Sequence, residues 1–178
     1  MKISRILTSA AAVLLVGSLA VPSDGSPATA GPGKQAFETF RGLAGSWHAT
    51  TADGDRVELD FEVVAEGTAV LERLRFIGDG GEHDMVTLYH LDGDEILLTH
   101  YCSANNQPRM RSATASGDGK EIRFELVDVA NLSSPDAGHM HRAVFEFQSE
   151  NRFKSAWTWR QKGSDAFTVE LDARRARP

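Results

Sequence analysis

The run Arg56-Val57-Glu58-Leu59-Asp60-Phe61-Glu62-Val63 alternates charged and apolar residues without a break. Side chains two apart share one face of a strand. Val57, Leu59, Phe61 and Val63 therefore form an apolar wall, and Arg56, Glu58, Asp60 and Glu62 form a solvated one. A strand with one dry and one wet face belongs to an antiparallel sheet. The same period recurs along the chain and places further residues on the inner wall: Val70, Leu74 and Phe76; Ile122, Phe124 and Leu126; Ala143, Phe145 and Phe147; Phe153, Trp157, Trp159, Phe167, Val169 and Leu171. Turn signals separate the runs at Asp53-Gly54, Glu66-Gly67, 78–81, Asp92-Gly93, 117–119 and Lys162-Gly163. Roughly ten short strands joined as hairpins predict an all-β fold, an antiparallel up-and-down barrel or a sandwich.

Upstream of the strands the period changes. Phe37, Phe40 and Leu43 or Ala44 recur at helical spacing, which predicts a short helix over 34–43. Residues 21–33, rich in Pro, Gly and Ser, read as a flexible leader. Residues 1–20 carry Lys2 and Arg5, an apolar run from Ile6 to Ala20, and the small-residue ending Ser18-Leu19-Ala20. That is the pattern of a secretory signal peptide, and it is short of the roughly 20 apolar residues that span a bilayer. No second apolar stretch follows. The expectation is export to the periplasm or the medium, no membrane insertion after cleavage, and one domain over 34–178.

The formal net charge of −6 becomes more acidic once Lys2 and Arg5 are removed. This argues against nucleic acid and anionic membrane surfaces as partners, and the basic tail Arg174-Arg175-Ala176-Arg177 is too short to reverse it. Cys102 is the single cysteine, so no intramolecular disulfide forms, and the residue is a buried thiol or a ligand. The connection Val129 to Gly138 is longer than a hairpin turn and reads as a surface loop or a lid. Oligomeric state has no signature.

The segment Leu43-Ala44-Gly45-Ser46-Trp47, at the start of the first strand after the helix, resembles the Gly-x-Trp opening of lipocalins and other calycins. The order of elements is similar along the whole chain, and the sequence also looks like lipocalin-like bacterial exported proteins of unassigned function. The resemblance implies a closed calycin-like barrel with a ligand cavity, in which Trp47 plugs one end and a late-strand arginine, Arg160 or Arg174, packs on its ring. It speaks to fold more than to activity.

Taking Asp92-Gly93 as a two-residue turn pairs residues whose numbers sum to 185. Tyr89 then faces Ile96, Thr87 faces Leu98, Met85 faces His100 and His83 faces Cys102. Ile96 and Leu98 mark this face as the interior, so His100 and Cys102 point inward. His139 and His141 have the parity of Phe145 and Phe147, and Glu72 that of Val70 and Leu74. The interior is therefore expected to hold titratable groups, each of which needs a partner.

Three functional readings follow. In the leading one, Glu72, Tyr89, His100, Cys102, His139 and His141 line a cavity for a small, partly polar ligand, bound without catalysis, with Arg109 as an outer candidate for an anionic group. Arg111 is similar, and both also fit a solvated strand face. In the second, His100, Cys102, His139 and His141 bind a metal such as copper or zinc, or haem, because His-x-Cys and His-x-His place two ligands about 7 Å apart on one strand face. Met85 is a weak additional ligand. In the third, Glu72 or His100 acts as a general base, with Arg109 or Tyr101 stabilising an anion. The chain has no nucleophile elbow, no phosphate-binding Gly-rich loop and no His-Glu-x-x-His. No cofactor or ligand is named by the residues alone.

Overall fold

The computed structural model describes residues 31–78, 83–115 and 120–177; the signal-peptide reading and most of the leader lie outside the described residues. One helix, α1 (Pro32–Arg41), precedes ten strands. These are β1 (Gly45–Thr51), β2 (Arg56–Val64), β3 (Ala69–Ile77), β4 (His83–Asp92) and β5 (Glu95–Tyr101), then β6 (Gln107–Ala115), β7 (Glu121–Ala130), β8 (His139–Ser149), β9 (Arg152–Gln161) and β10 (Ser164–Arg175). Each strand pairs with the next, and β10 returns to β1, so the sheet is a closed antiparallel barrel. Closure pairs the edge strands that an open sheet would expose.

The alternation read from the sequence sets the inner wall. Val57, Leu59, Phe61, Val70, Ile122, Phe124, Ala143, Phe145 and Phe153 are buried. Helix α1 starts on Pro32, whose fixed φ suits a first helical position, and buries Ala36, Phe37 and Phe40 at the barrel end where β1 begins and the β4–β5 hairpin turns. Phe40 stacks on Tyr89 at 4.5 Å and meets the edges of Phe145 at 5.1 Å, Phe147 at 5.6 Å and Phe124 at 5.9 Å. Gly33 allows this seating, because a Cβ there would lie 1.8 Å from the backbone oxygen of Asp94. The half of the barrel nearest α1 is thus solid aromatic core.

Trp47 closes the same end, but its cationic partner is Arg175 rather than Arg160 or Arg174. The Arg175 guanidinium lies 4.4 Å from the Trp47 ring centroid. It donates to the carbonyls of Ala44 and Gly42, each at 2.8 Å, and of Glu150, while Trp47 Nε1 donates to Leu43 O at 2.7 Å. Parity explains the choice: Leu171, Ala173 and Arg175 share the inner face of β10, Arg174 faces out, and Arg160 pairs with Asp165 at 3.0 Å. Arg175→Lys keeps the charge but loses the planar fork that reaches several carbonyls at once. It is expected to lower stability by about 1–2 kcal/mol in urea unfolding. An unchanged midpoint would show that the fork is dispensable.

Phe167 keeps the parity of Val169 and Leu171, opposite Trp159, but it lies at the rim rather than in the core, where it is 53% exposed and stacks on Trp159 at 5.8 Å. Trp159 is also a rim residue, packed so closely on Gly138 that a Cβ there would fall 2.2 Å from its ring.

Candidate functional site

The β4–β5 hairpin turns on Gly93 and Asp94, with Asp92 paired to Glu95, so facing residues sum to 187. Gly93, at φ 64°, takes the first central position, where a left-handed backbone is needed. The two-residue displacement from the expected register preserves every face and changes every partner. Thr87, not Met85, faces His100, and Tyr89 faces Leu98; His83 has no partner in β5, whose ladder with β4 ends at Val86 and Tyr101.

This register lines up Phe61, Glu72, Thr87 and His100 as one inward row across β2 to β5. The Tyr89 hydroxyl donates to Glu72 Oε2 at 2.5 Å, and Thr87 Oγ1 lies 2.9 Å from His100 Nδ1. Thr87 is also the directly opposed cross-strand neighbour of Glu72. Burial pushes the Glu72 carboxyl up to about 7, although Tyr89 and Thr87 beside it pull the other way. Burial likewise raises Tyr89 well above the ordinary phenol range and lowers His100 to about 4. At neutral pH His100 is therefore an uncharged ring.

Beyond this row, toward the end away from α1, the interior holds a small cavity. This cavity, of about 60 Å³, is walled by Leu74, Phe76, Met85, Met140, Val169 and Leu171, with Thr87, His100 and Trp157 completing it. The rings of His100 and Trp157 are 5.0 Å apart. His100 Nε2 and Trp157 Nε1 are both buried without a hydrogen-bond partner in the protein. Buried polar atoms are paired in the great majority of cases, so two orphans on the wall of one apolar cavity are informative.

The other residues expected at the site are elsewhere. Cys102 lies just past β5, half-buried against the edge of the core; burial raises its thiol pKa, and its backbone closes the turn to Asn105 and Asn106. His139 and His141 do not point into the interior with Phe145. A bulge between Met140 and Arg142 inserts an extra residue and reverses the alternation upstream of it. Met140 takes the inner position opposite Trp159, while His139 pairs with Arg160 on the other face and its Nδ1 donates to Ala137 O at 3.1 Å. His141 is half-buried, 6.2 Å from His139 between ring centres, with a pKa lowered by burial and by Arg160. The four proposed metal ligands are thus not brought together. Among the described residues no three His, Cys, Asp or Glu side chains are grouped as a metal site requires.

Arg109 is on the outer wall, held in two-point contact by Asp128, and Arg111 is held by Glu95 at 2.5 Å and Asp92 at 3.1 Å. Tyr101 is 50% exposed, also outside. The 131–138 loop is tied to the β5–β6 connection by Asn106 Nδ2 to Gly138 O and Asn131 Nδ2 to Asn105 O, beside Trp159 at the rim. Thr87, Trp157 and Met140 were not recognised as site residues from the sequence. Placing Gly93 at the first central turn position would have found Thr87, and Met140 is signalled only by an apolar residue between two histidines.

No family model matches the sequence, and no curated protein matches it. Among solved structures, the chain is similar to a protein of unknown function from the DUF3598 family of Nostoc punctiforme. That similarity has 10% identity and a TM-score of 0.43, and it covers 77% of this chain and 49% of the other. The chain thus spans about half the length of that structure.

Proposed function

We propose that this chain is an exported barrel that binds a small, neutral, partly polar molecule in the cavity of its interior, without catalysis. The observation that carries the reading is the pair of unpartnered buried atoms, His100 Nε2 and Trp157 Nε1, on one otherwise apolar cavity. Each such atom costs about 1–3 kcal/mol if left unpaired, a cost that a ligand supplying partners removes. A charged ligand fits poorly, since no cation among the described residues lines the cavity, and an unpaired charge there would be heavily penalised. The volume of about 60 Å³ accommodates a group of a few heavy atoms, against several hundred Å³ for a drug-sized ligand. With a ceiling of about 1.5 kcal/mol per heavy atom, affinity for such a group is micromolar at best.

Propionamide is a suitable probe, with an N–H to donate to His100 and a carbonyl to accept from Trp157. Calorimetric titration is expected to show saturable binding to the folded protein. His100→Ala, which leaves the aliphatic and aromatic core in place, is expected to weaken it about tenfold without unfolding. Equal affinity in a folded His100→Ala protein would remove His100 from the site.

A further inference from the structure

We infer that Glu72, acting through the Thr87 hydroxyl, sets which nitrogen of His100 carries the proton, and so whether the cavity offers its ligand an acceptor or a donor. The cause rests on the hydrogen-bond row alone; the consequence for the ligand rests on the cavity reading above.

A hydroxyl has one proton to donate. Thr87 stands between Glu72 and His100 in the row, directly opposite each, with its Oγ1 2.9 Å from His100 Nδ1 and its hydroxyl on the inner face beside the Glu72 carboxyl. When Glu72 is ionised its oxygens only accept. Tyr89 fills one of them, and the Thr87 proton turns to the carboxylate. Thr87 Oγ1 then presents a lone pair to His100, so Nδ1 must hold the imidazole proton and Nε2 is a bare acceptor facing the cavity. When Glu72 is protonated, Thr87 is free to donate to His100 Nδ1, the proton moves to Nε2, and the cavity presents two donors, Nε2–H and Trp157 Nε1–H.

Among the described residues no other charged group bears on Glu72 or His100. Of the titratable side chains buried among the described residues, His139 is on the outer face, which leaves Glu72, Tyr89 and His100 inside. The elements packed around the row contribute Phe61 from β2, Phe40 from α1 and Trp157 from β9, none of them charged. The groups bearing on Glu72 are Tyr89 and Thr87.

The ligand class follows. With Glu72 ionised, a molecule carrying a donor and an acceptor on one small head, an amide or a hydroxyl, satisfies both orphan atoms. An isosteric ketone satisfies only Trp157. With Glu72 protonated, a ketone oxygen can accept from both, and the preference for the amide disappears.

The test reads the tautomer directly, by nitrogen-15 correlation spectra of the His100 ring at about pH 8, where Glu72 is largely ionised. In the wild type Nε2 is expected to be of the unprotonated, pyridine type. In Glu72→Gln the side-chain amide donates to Thr87, and Nε2 is expected to become protonated. With Thr87→Val in place, Glu72→Gln should leave the tautomer unchanged. Should Glu72→Gln fail to fold, the wild type taken across neutrality makes the same comparison, with Nε2–H on the acid side. Propionamide is expected to bind the wild type about tenfold more tightly than butanone, a margin lost in Glu72→Gln. A protonated Nε2 in the wild type at pH about 8, or one tautomer in both proteins, overturns the inference and leaves the cavity reading standing. A tautomer that switches while neither probe binds supports the relay and overturns the cavity reading.

Discussion

Between pH 4.5 and 6.5 the wild-type protein is expected to show a shallow dependence of stability on pH, and two single substitutions are expected to expose slopes of opposite sign. Glu72 has an ordinary carboxyl value of 4.5 and is raised by burial to about 7 in the folded barrel. Over that window the native state holds a proton that the unfolded chain has released. Its contribution is full below 4.5 and is lost as pH rises through about 7, in total about 3 kcal/mol. His100 runs the other way, from 6.5 to about 4. The unfolded chain takes up a proton while the native ring stays neutral, so stability is full above 6.5 and is lost as pH falls through about 4, again by about 3 kcal/mol. The two nearly cancel where the windows overlap, and His141, partly exposed, adds a smaller share of the His100 sign.

In Glu72→Gln only the histidine slope remains, so this variant loses stability on acidification from 6.5. Above pH 7 it exceeds the wild type by up to about 3 kcal/mol. His100→Ala starts lower because it opens the cavity, but it retains the Glu72 slope and weakens as pH rises from 4.5 to about 7. The carboxylates of Asp128, Asp165, Asp172 and Glu58, held low by their arginine partners, act below their ordinary values of 3.8 and 4.5 and so bear on the acid edge of the window alone. Urea midpoints for the three proteins across this range make the comparison, and three parallel profiles would contradict the burial of both groups.

Phe40→Ala is expected to cost about 3–5 kcal/mol, the largest single loss predicted for the fold. The ring is fully buried and is the one side chain of α1 that touches four aromatic residues from β4, β7 and β8. Its removal leaves a void that the surrounding closed sheet cannot collapse into, because each strand is fixed by two neighbours. Amide exchange in α1 should accelerate more than in β9 or β10, since the helix has few other anchors. A loss under about 1 kcal/mol would mean that α1 is an ornament on a barrel stable without it.

What the sequence made legible was the face of each side chain. Period-two alternation survives any even error in register, which is why Glu72, Tyr89 and His100 were found inside although the hairpin had been displaced by two residues. Partner identity is more fragile: the same displacement hid Thr87, the residue that connects Glu72 to His100. Bulges are the other failure. One extra residue at His141 inverts what precedes it, and the apolar pattern carries no mark of it, so His139 and His141 were misplaced. Arg175 was within reach, because its parity with Leu171 and Ala173 distinguishes it from Arg174. The extent of the cavity was not, since it depends on how far Phe40 enters from outside the sheet, a packing fact with no local signal.

The central claim is that a small neutral molecule sits in the cavity walled by His100 and Trp157 inside the barrel, and the most direct measurement is a nitrogen-15 spectrum of both rings during titration with propionamide. The account predicts that the Trp157 indole N–H and His100 Nε2 signals move together and saturably, while Arg109, His139 and Cys102 do not respond. Immobile His100 and Trp157 signals at saturating probe, or a response confined to residues on the outer wall, would contradict it.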